Sequence, residues 1–343
     1  AAGTGLSSHE LNQPGCYRDV KDTTVVGQFR IKNPKPEMAE WGTPYFLAWT
    51  TTPWTLPSNA ALCVNPDAVY VKVSCKEEVY ILAKALADKV LGEGQYEVLE
   101  EMKGADLEGR EYEPLFGFVS PTEKCWYVTA DDYVTMEDGT GIVHTAPAFG
   151  EDDARVGRKY GLPLIQLVDA KGEMTAETDW PGVFVKDADK LVLRDLKERG
   201  LLFDAPVFEH SYPHCWRCGT PLIYYARDSW FIKMTEVRDR LIANNNTINW
   251  IPESIGKKRF GDWLENVQDW GISRNRYWGT PLNIWECSCG HRHSVGSIEE
   301  LRSMSSNCPA EIELHRPYID AVTVKCPKCG GEMKRVTEVI DCW

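Results

Sequence analysis

The chain has 343 residues, with 51 acidic against 38 basic side chains and a net charge of −13, which excludes a protein that holds nucleic acid by bulk positive charge. Its 43% hydrophobic and 26% charged residues are those of an ordinary globular protein, and no apolar run approaches the roughly 20 residues of a membrane helix. The length predicts about two domains, each able to bury its own core.

After a turn-rich start, residues 24–32 read as a strand, with Val25, Val26, Phe29 and Ile31 as its apolar positions. Residues 45–49 read as a buried strand bounded by Pro44 and Pro53. The run that follows is Trp49-Thr50-Thr51-Thr52-Pro53-Trp54-Thr55-Leu56-Pro57-Ser58-Asn59. Pro53 has no N–H to give a ladder and pushes Thr52 into an extended conformation, so the strand stops there. Hydroxyls gather at that strand end beside two indoles. Because each hydroxyl both donates and accepts, the cluster suits a ribose, a phosphate or an ester, although threonine is also simply a good strand former.

Farther on, Val69, Val71 and Val73 alternate as in a half-buried strand, and residues 79–82 read as another. Leu82, Leu86 and Val90 then fall at helical spacing up to a stop at Gly92. A second unusual stretch is Gly139-Thr140-Gly141-Ile142-Val143-His144-Thr145-Ala146-Pro147-Ala148-Phe149-Gly150-Glu151-Asp152-Asp153. Its acids open a predicted helix ending near Gly161 and complement that helix's dipole. A histidine and a carboxylate thus flank one tight turn. Residues 164–168 are predicted as a strand, 187–200 as an amphipathic helix and 222–225 as strand-like. Many short strands with a few helices predict a mixed α/β fold, a compact β-barrel with peripheral helices.

From His210 the composition changes. Cys215 and Cys218 form a C-x-x-C pair, Cys287 and Cys289 a C-x-C, and Cys326 and Cys329 a second C-x-x-C. With no signal peptide visible, paired cysteines point to zinc and to a reducing, cytoplasmic compartment. Cys287, Cys289, Cys326 and Cys329 make a complete four-thiolate set for structural zinc, with His291, His293 and Cys308 as reserve ligands. Cys215 and Cys218 alone are half a site. Basic clusters at 257–259 and 274–276 are the local features with which the chain could meet RNA, or plain solvated surface.

The runs 49–59 and 139–153 together resemble the editing insertion of the isoleucyl-tRNA synthetase family, in the version typical of eukaryotic, archaeal and some bacterial members. Valyl and leucyl relatives carry Arg-Pro-Glu-Thr where this chain has Thr52-Pro53-Trp54-Thr55. Ile272-Ser273-Arg274-Asn275-Arg276-Tyr277-Trp278-Gly279 is similar to the family's re-entry into the catalytic core, and Asp341-Cys342-Trp343 to the start of a core motif. The resemblance implies three segments: a barrel-like editing domain over 1–207, a zinc-knuckle remnant and core re-entry over 208–282, and a zinc-ribbon module over 283–343.

By the same resemblance, Asp153 anchors the α-ammonium of an aminoacyl ester. Thr50, Thr51 and Thr52 line the ester and terminal adenosine and position water. Trp49 and Trp54 offer apolar walls or a stacking face, and Asn59 bonds the loop or substrate. His144 limits the side-chain pocket or acts as base, so that Thr52, His144 and Asp153 form the catalytic set. The implied reaction removes valine from tRNA(Ile), or from valyl-adenylate, by water attack. The implied partners are the tRNA acceptor end and the rest of a synthetase chain, for a monomer without a membrane. Neither His-x-Gly-His nor Lys-Met-Ser-Lys-Ser occurs, so no ATP site and no amino-acid activation are expected. A non-catalytic zinc-ribbon RNA-binding module and the editing domain of a valyl or leucyl enzyme remain as alternatives.

Overall fold

The computed structural model describes residues 5–6, 8–33 and 44–340, and the chain divides into two compact units, 1–226 and 227–343. The run Asp341-Cys342-Trp343 lies outside the described residues. No described helix is long and apolar enough to cross a membrane.

In the first unit, β1 (Tyr17–Thr23) pairs antiparallel with β11 (Val207–Pro213) through seven residues on each strand, from Tyr17↔Pro213 to Thr23↔Val207. The boundary expected at 207/208 falls inside this ladder, so 208–213 stay with the first unit. The other strands build one curled sheet around β3 (Pro44–Thr50). One edge of β3 pairs antiparallel with β2 (Val25–Arg30), which in turn holds β10 (Leu202–Asp204). Its other edge is shared. At Pro44, Tyr45 and Phe46 it pairs in parallel with β6 (Glu78–Ala83), and at Trp49 with Val143 of β9 (Ile142–Thr145).

The sheet therefore splits along β3. One arm continues from β6 to β5 (Val69–Cys75) and β7 (Glu97–Lys103). The other runs from β9 to β4 (Ala61–Val64) and β8 (Tyr127–Ala130). Segment 109–113 then closes this second arm into a small barrel. Its bridges are Glu111↔Tyr127 on one side and Ile31↔Tyr112 on the other, with backbone bonds Val128 N→Arg110 O (2.9 Å) and Lys32 N→Glu111 O (2.9 Å). Closure pairs edge groups that would otherwise face solvent. The barrel-like architecture read from the sequence is present.

Alternation along the strands divides the core, as the two-residue period requires. Val25, Phe29, Phe46 and Ala48 face one cluster with Leu62, Tyr112, Val128 and Ile142. Val26, Leu47, Val71, Val73 and Leu82 face another, covered by Ala87 and Leu91. The strand at 69–75 is consequently buried on both faces rather than half-buried, since Tyr70 and Lys72 are buried too.

Three local expectations need correction. Leu82 belongs to β6, and the helix over Ala87–Leu91 begins only after a 3-10 turn at Lys84–Leu86; it ends at Gly92 as expected. Leucine spacing alone does not separate the last strand residue from the first helical turn. Residues 164–168 bury Ile165 and Leu167 but form only the single bridge Val168↔Met174, because Pro163 gives no N–H and Leu167 N bonds Ser58 Oγ (3.4 Å). Residues 222–225 likewise pass without a ladder; Leu222 N goes to Pro213 O and the Tyr225 hydroxyl to Val168 O (3.1 Å). The helix over Glu151–Tyr160 (α1 below) falls where the sequence puts it, closed by Gly161 with a left-handed φ of 64°, and that over Val185–Glu198 (α2 below) begins and ends two residues earlier than expected.

The second unit carries a four-stranded antiparallel sheet in the order Arg292–Ser294, Ile284–Cys287, Glu332–Arg335, Val324–Lys325. Helix Ile298–Met304, capped by the Ser297 side chain accepting from Glu300 N, completes its core of Trp285, Leu301, Ile319, Val322 and Met333.

Candidate functional site

The two unusual stretches of the sequence meet because β3 and β9 are parallel neighbours, so their carboxyl ends open on the same side. Leaving β3, the chain enters a 3-10 turn at Pro53–Ser58 with Thr52 as N-cap. Leaving β9, it makes the Ala146–Gly150 turn into α1. Strand β4, which follows Asn59, lies antiparallel on β9 with Leu62 opposite His144.

At the centre lies a connected set of polar side chains. Thr50 Oγ1 and Thr52 Oγ1 are 3.3 Å apart, as are Thr52 Oγ1 and Thr55 Oγ1. Thr50 Oγ1 also accepts Thr52 N (3.1 Å). Thr51 is half-buried beside this chain of hydroxyls. His144, only 5% exposed, has Thr55 Oγ1 at 3.0 Å from Nε2 and Asn59 Nδ2 at 2.8 Å from Nδ1.

The direction of these bonds follows from one acceptor. The Ala61 carbonyl can only accept, so the group bonded to it at 2.8 Å is the Asn59 amide nitrogen. That same NH2 donates to His144 Nδ1, which must therefore carry a lone pair, and the ring proton resides on Nε2. Nε2–H donates to Thr55 Oγ1, whose own proton goes to Thr52 O (2.8 Å). The Tyr112 hydroxyl closes the far end on Asn59 Oδ1 (2.6 Å). Burial pushes the His144 pKa down to about 3. The imidazole is neutral, its tautomer is fixed, and no lone pair faces outward.

Asp153 reaches back from the first turn of α1 and accepts Ala146 N on Oδ2 at 2.9 Å. This close approach needs Gly150: a Cβ there would stand 2.9 Å from Asp153 Cγ. Burial pushes the Asp153 carboxyl up to about 7, against the lowering effect of the Ala146 amide, and among the described residues no lysine or arginine pairs with it. Asp152 instead points outward to Arg155 (2.9 Å). Nearby, Thr145 Oγ1 and the Tyr133 hydroxyl are buried beside each other.

The indoles do not join this group. Trp49 turns to the opposite face of β3, where Nε1 donates to Thr24 Oγ1 (3.1 Å) and the ring packs on Gly139 and Phe208. Trp54 is 2% exposed and packs edge-on to Phe149, with Val168, Met174 and Ala188 around it. Trp54 is core, whereas Trp49 is half-buried and packs against the core from the opposite face of β3. Conversely, Thr55 and Tyr112 take part although neither was singled out in the sequence, and so does Asp189, whose Oδ1 accepts Trp54 N at 2.9 Å. Thr55 lies inside the motif and was readable there, whereas nothing in the local sequence marks Tyr112 or Asp189.

In the second unit the sulfurs of Cys287, Cys289, Cys326 and Cys329 all lie within 4.8 Å of one another, with Cys287–Cys329 at 3.5 Å and Cys289–Cys326 at 3.8 Å. A tetrahedral Zn–S₄ centre with bonds of about 2.3 Å needs sulfurs ~3.8 Å apart, so the four thiols fit a metal ion. Gly290 (φ 80°) and Gly330 (φ 72°) supply the left-handed turns of the two knuckles. His293 is engaged by Glu300 (2.9 Å), and neither it nor His291 or Cys308 belongs to the cluster. Cys215 and Cys218 find no third ligand among the described residues; Cys218 Sγ lies 3.0 Å from Thr220 Oγ1.

The chain thus carries a closed barrel with a hydrogen-bonded polar cluster at parallel strand ends, and a four-cysteine module. The model for class I tRNA synthetases (I, L, M and V) matches residues 1–343, and the chain belongs to that family. Within it, the chain is similar to isoleucine–tRNA ligases: 58% identical over 342 residues to that of Clostridium novyi, covering 99% of this chain and 32% of that protein. It is 49% identical over 343 residues to that of Bacillus thuringiensis, again 99% and 32%. The chain thus spans 32% of the length of these relatives. Among solved structures it resembles the editing domain of the P. knowlesi cytosolic leucyl-tRNA synthetase (TM-score 0.41, 14% identity, 55% of this chain and 97% of that one). The corresponding P. falciparum domain gives a TM-score of 0.42 at 13% identity, covering 55% and 100%.

Proposed function

We propose that the first unit is the proofreading site of an isoleucine–tRNA ligase and hydrolyses valine from tRNA(Ile), and valyl-adenylate, from which water attack on the acyl carbon expels the phosphate. The carrying observation is that the Thr50–Thr52–Thr55 hydroxyls and His144 gather at the carboxyl ends of the parallel neighbours β3 and β9, while Asp153, buried and without a lysine or arginine partner among the described residues, bonds the turn that leaves β9. A pocket of this kind has a physical purpose. One methylene is worth only about 1–3 kcal/mol to a hydrophobic synthetic site, a general magnitude for which isoleucine–tRNA ligases are themselves the established illustration.

Asp153 is the anchor. A carboxyl pushed up to about 7 by burial regains its charge when an ammonium approaches, and the α-amino group of an aminoacyl ester supplies one. Thr50, Thr51 and Thr52 hold the ester and a water molecule. Water oxygen bonds to the carbonyl carbon, the bond from that carbon to the ribose oxygen breaks, and a proton passes to the departing oxygen through the neighbouring ribose hydroxyl. His144 is a pocket wall rather than a base, because Asn59 occupies its one lone pair. Asn59 acts on His144 and not on the substrate. Trp54 supports the site from the core and Trp49 from the opposite face of β3.

The second unit carries structural zinc on Cys287, Cys289, Cys326 and Cys329; four thiolates saturate the ion and leave no position for a reacting water. The chain acts as part of a longer cytoplasmic synthetase, monomeric, with the tRNA acceptor end as its partner and aminoacylation residing elsewhere. The test is deacylation of valyl-, threonyl- and isoleucyl-tRNA(Ile) by the purified chain. Valine release is expected and isoleucine release is not. Asp153→Ala should lower kcat/KM for the valyl ester by about 10- to 100-fold, the loss of one charge-assisted bond. A chain that binds tRNA but leaves valyl ester intact is an RNA-binding module, and the reading fails.

A further inference from the structure

Thr52 caps the turn Pro53–Ser58, yet its side chain caps nothing. A threonine at that position ordinarily turns its hydroxyl onto the N–H of the second or third helical residue. Here the third, Thr55, gives its N–H to the Thr52 carbonyl (3.0 Å), and the first, Pro53, has none. The second, Trp54, gives its N–H to Asp189 Oδ1 at 2.9 Å, a residue 135 positions away on α2. Thr52 Oγ1 therefore stays among the Thr50 and Thr55 hydroxyls.

We infer that Asp189 is a positioning residue: it caps the turn from outside, so that the Thr52 hydroxyl is kept for the substrate. Asp189 does not touch the reacting atoms itself. It is fixed by α2, whose Val185, Ala188, Val192 and Leu196 are buried. Lys186, one turn earlier, ties α2 to the β1–β11 ribbon through Asp22 (3.2 Å), which His210 also approaches at 3.2 Å. An acceptor on a packed helix is preorganised, as a residue supporting a reactive group must be. Burial raises the Asp189 carboxyl to about 7 while Lys186 and the Trp54 amide oppose the rise. Charged or neutral, its carbonyl oxygen accepts the same N–H, and so would the amide oxygen of asparagine.

The inference rests on reading the pocket as an ester hydrolase, and the test separates the two. On valyl-tRNA(Ile), Asp189→Ala should lower kcat by about tenfold, equivalent to roughly 1.4 kcal/mol of barrier, with KM unchanged, while Asp189→Asn should keep parental kcat. In a Thr52→Val background Asp189→Ala should cause no further loss, because the hydroxyl it protects is already gone. Independent losses that multiply in the double variant, or an Asp189→Asn as poor as Asp189→Ala, overturn the inference.

Hydrogen exchange at the Trp54 amide, measured without substrate, reads the cap even if the parent chain hydrolyses nothing. It should be slow in the parent and in each single variant, because in Asp189→Ala the Thr52 hydroxyl swings onto the amide. Only the double variant should exchange at least about tenfold faster, since only there has the amide lost both acceptors. Fast exchange in Asp189→Ala alone means that Thr52 is not the displaced cap, and refutes the inference.

Discussion

A histidine held at both nitrogens titrates and reacts unlike one that faces water, and His144 is held by Asn59 and Thr55. Its pKa is pushed down to about 3 by burial, so it stays neutral across the range of about pH 5–8 in which a free imidazole switches. The kcat for valyl-tRNA(Ile) should accordingly show no loss with a midpoint near that of a free imidazole as pH falls; KM should rise below about 7 as Asp153 is protonated. A kcat that tracks a group of pKa about 6.5 would restore the base role. As a wall, His144→Ala should admit the extra methylene of isoleucine and shift the isoleucine-to-valine rate ratio by about 10- to 200-fold. The ratio matters because it cancels losses from partial unfolding. For stability the sign is that of a depressed histidine: the contribution is complete above the unfolded value of about 6.5 and is lost as pH falls toward about 3. His144, Asp153 and the threonines were readable in sequence because each stands in a dense local pattern. Asp189 and Tyr112 were not, because each contributes one hydrogen bond from a segment whose pattern is wholly explained by its own packing.

At the scale of elements, the sequence spoke most clearly where one period dominated. The proline-bounded apolar run of β3 and the acid-first, glycine-last pattern of α1 were both legible. It misled at 164–168, where an apolar run is buried without a ladder, and at Leu82, where strand and helix spacings overlap. The attachment of α1 to the barrel had no local signal at all. Asp131, just past β8 and 5% exposed in its side chain, pairs with Arg155 Nη1 (2.9 Å) and Lys159 Nζ (3.4 Å) on α1. The Arg155 hydrogen bond leads in lowering the Asp131 pKa to about 2. A depressed carboxylate stabilises above its unfolded value of about 3.9 and loses that contribution as pH falls through about 2. Asp131→Ala should cost on the order of 1–2 kcal/mol at neutral pH, discounted because both cations are half exposed. Its urea midpoint should meet that of the parent near pH 2; two curves that stay parallel would mean the pair contributes nothing. Since α1 also carries Asp153, valyl-ester KM should rise with the same substitution.

For the whole molecule, the two units differ in what holds them together. The first closes a barrel over continuous apolar clusters. The second has a four-stranded sheet with short strands, and its core includes two of the four clustered cysteines, Cys287 and Cys326. A core that counts metal ligands among its members depends on the ion, and structural zinc contributes about 10–16 kcal/mol of apparent folding free energy in small zinc-binding peptides. The purified chain should contain one equivalent of zinc, and Cys326→Ser or a strong chelator should remove it. Trp285, 2% exposed with its indole N–H on Val322 O at 2.8 Å, gives the readout: its fluorescence environment should open while backbone exchange in the barrel strands β3, β4 and β9 stays slow. Valyl-ester hydrolysis should survive the loss of metal, because no zinc ligand belongs to the pocket. Retention of zinc by Cys326→Ser together with its loss from Cys215→Ser would move the site to the other cysteine pair. Collapse of barrel protection on chelation would mean that the barrel, too, draws its stability from the ion.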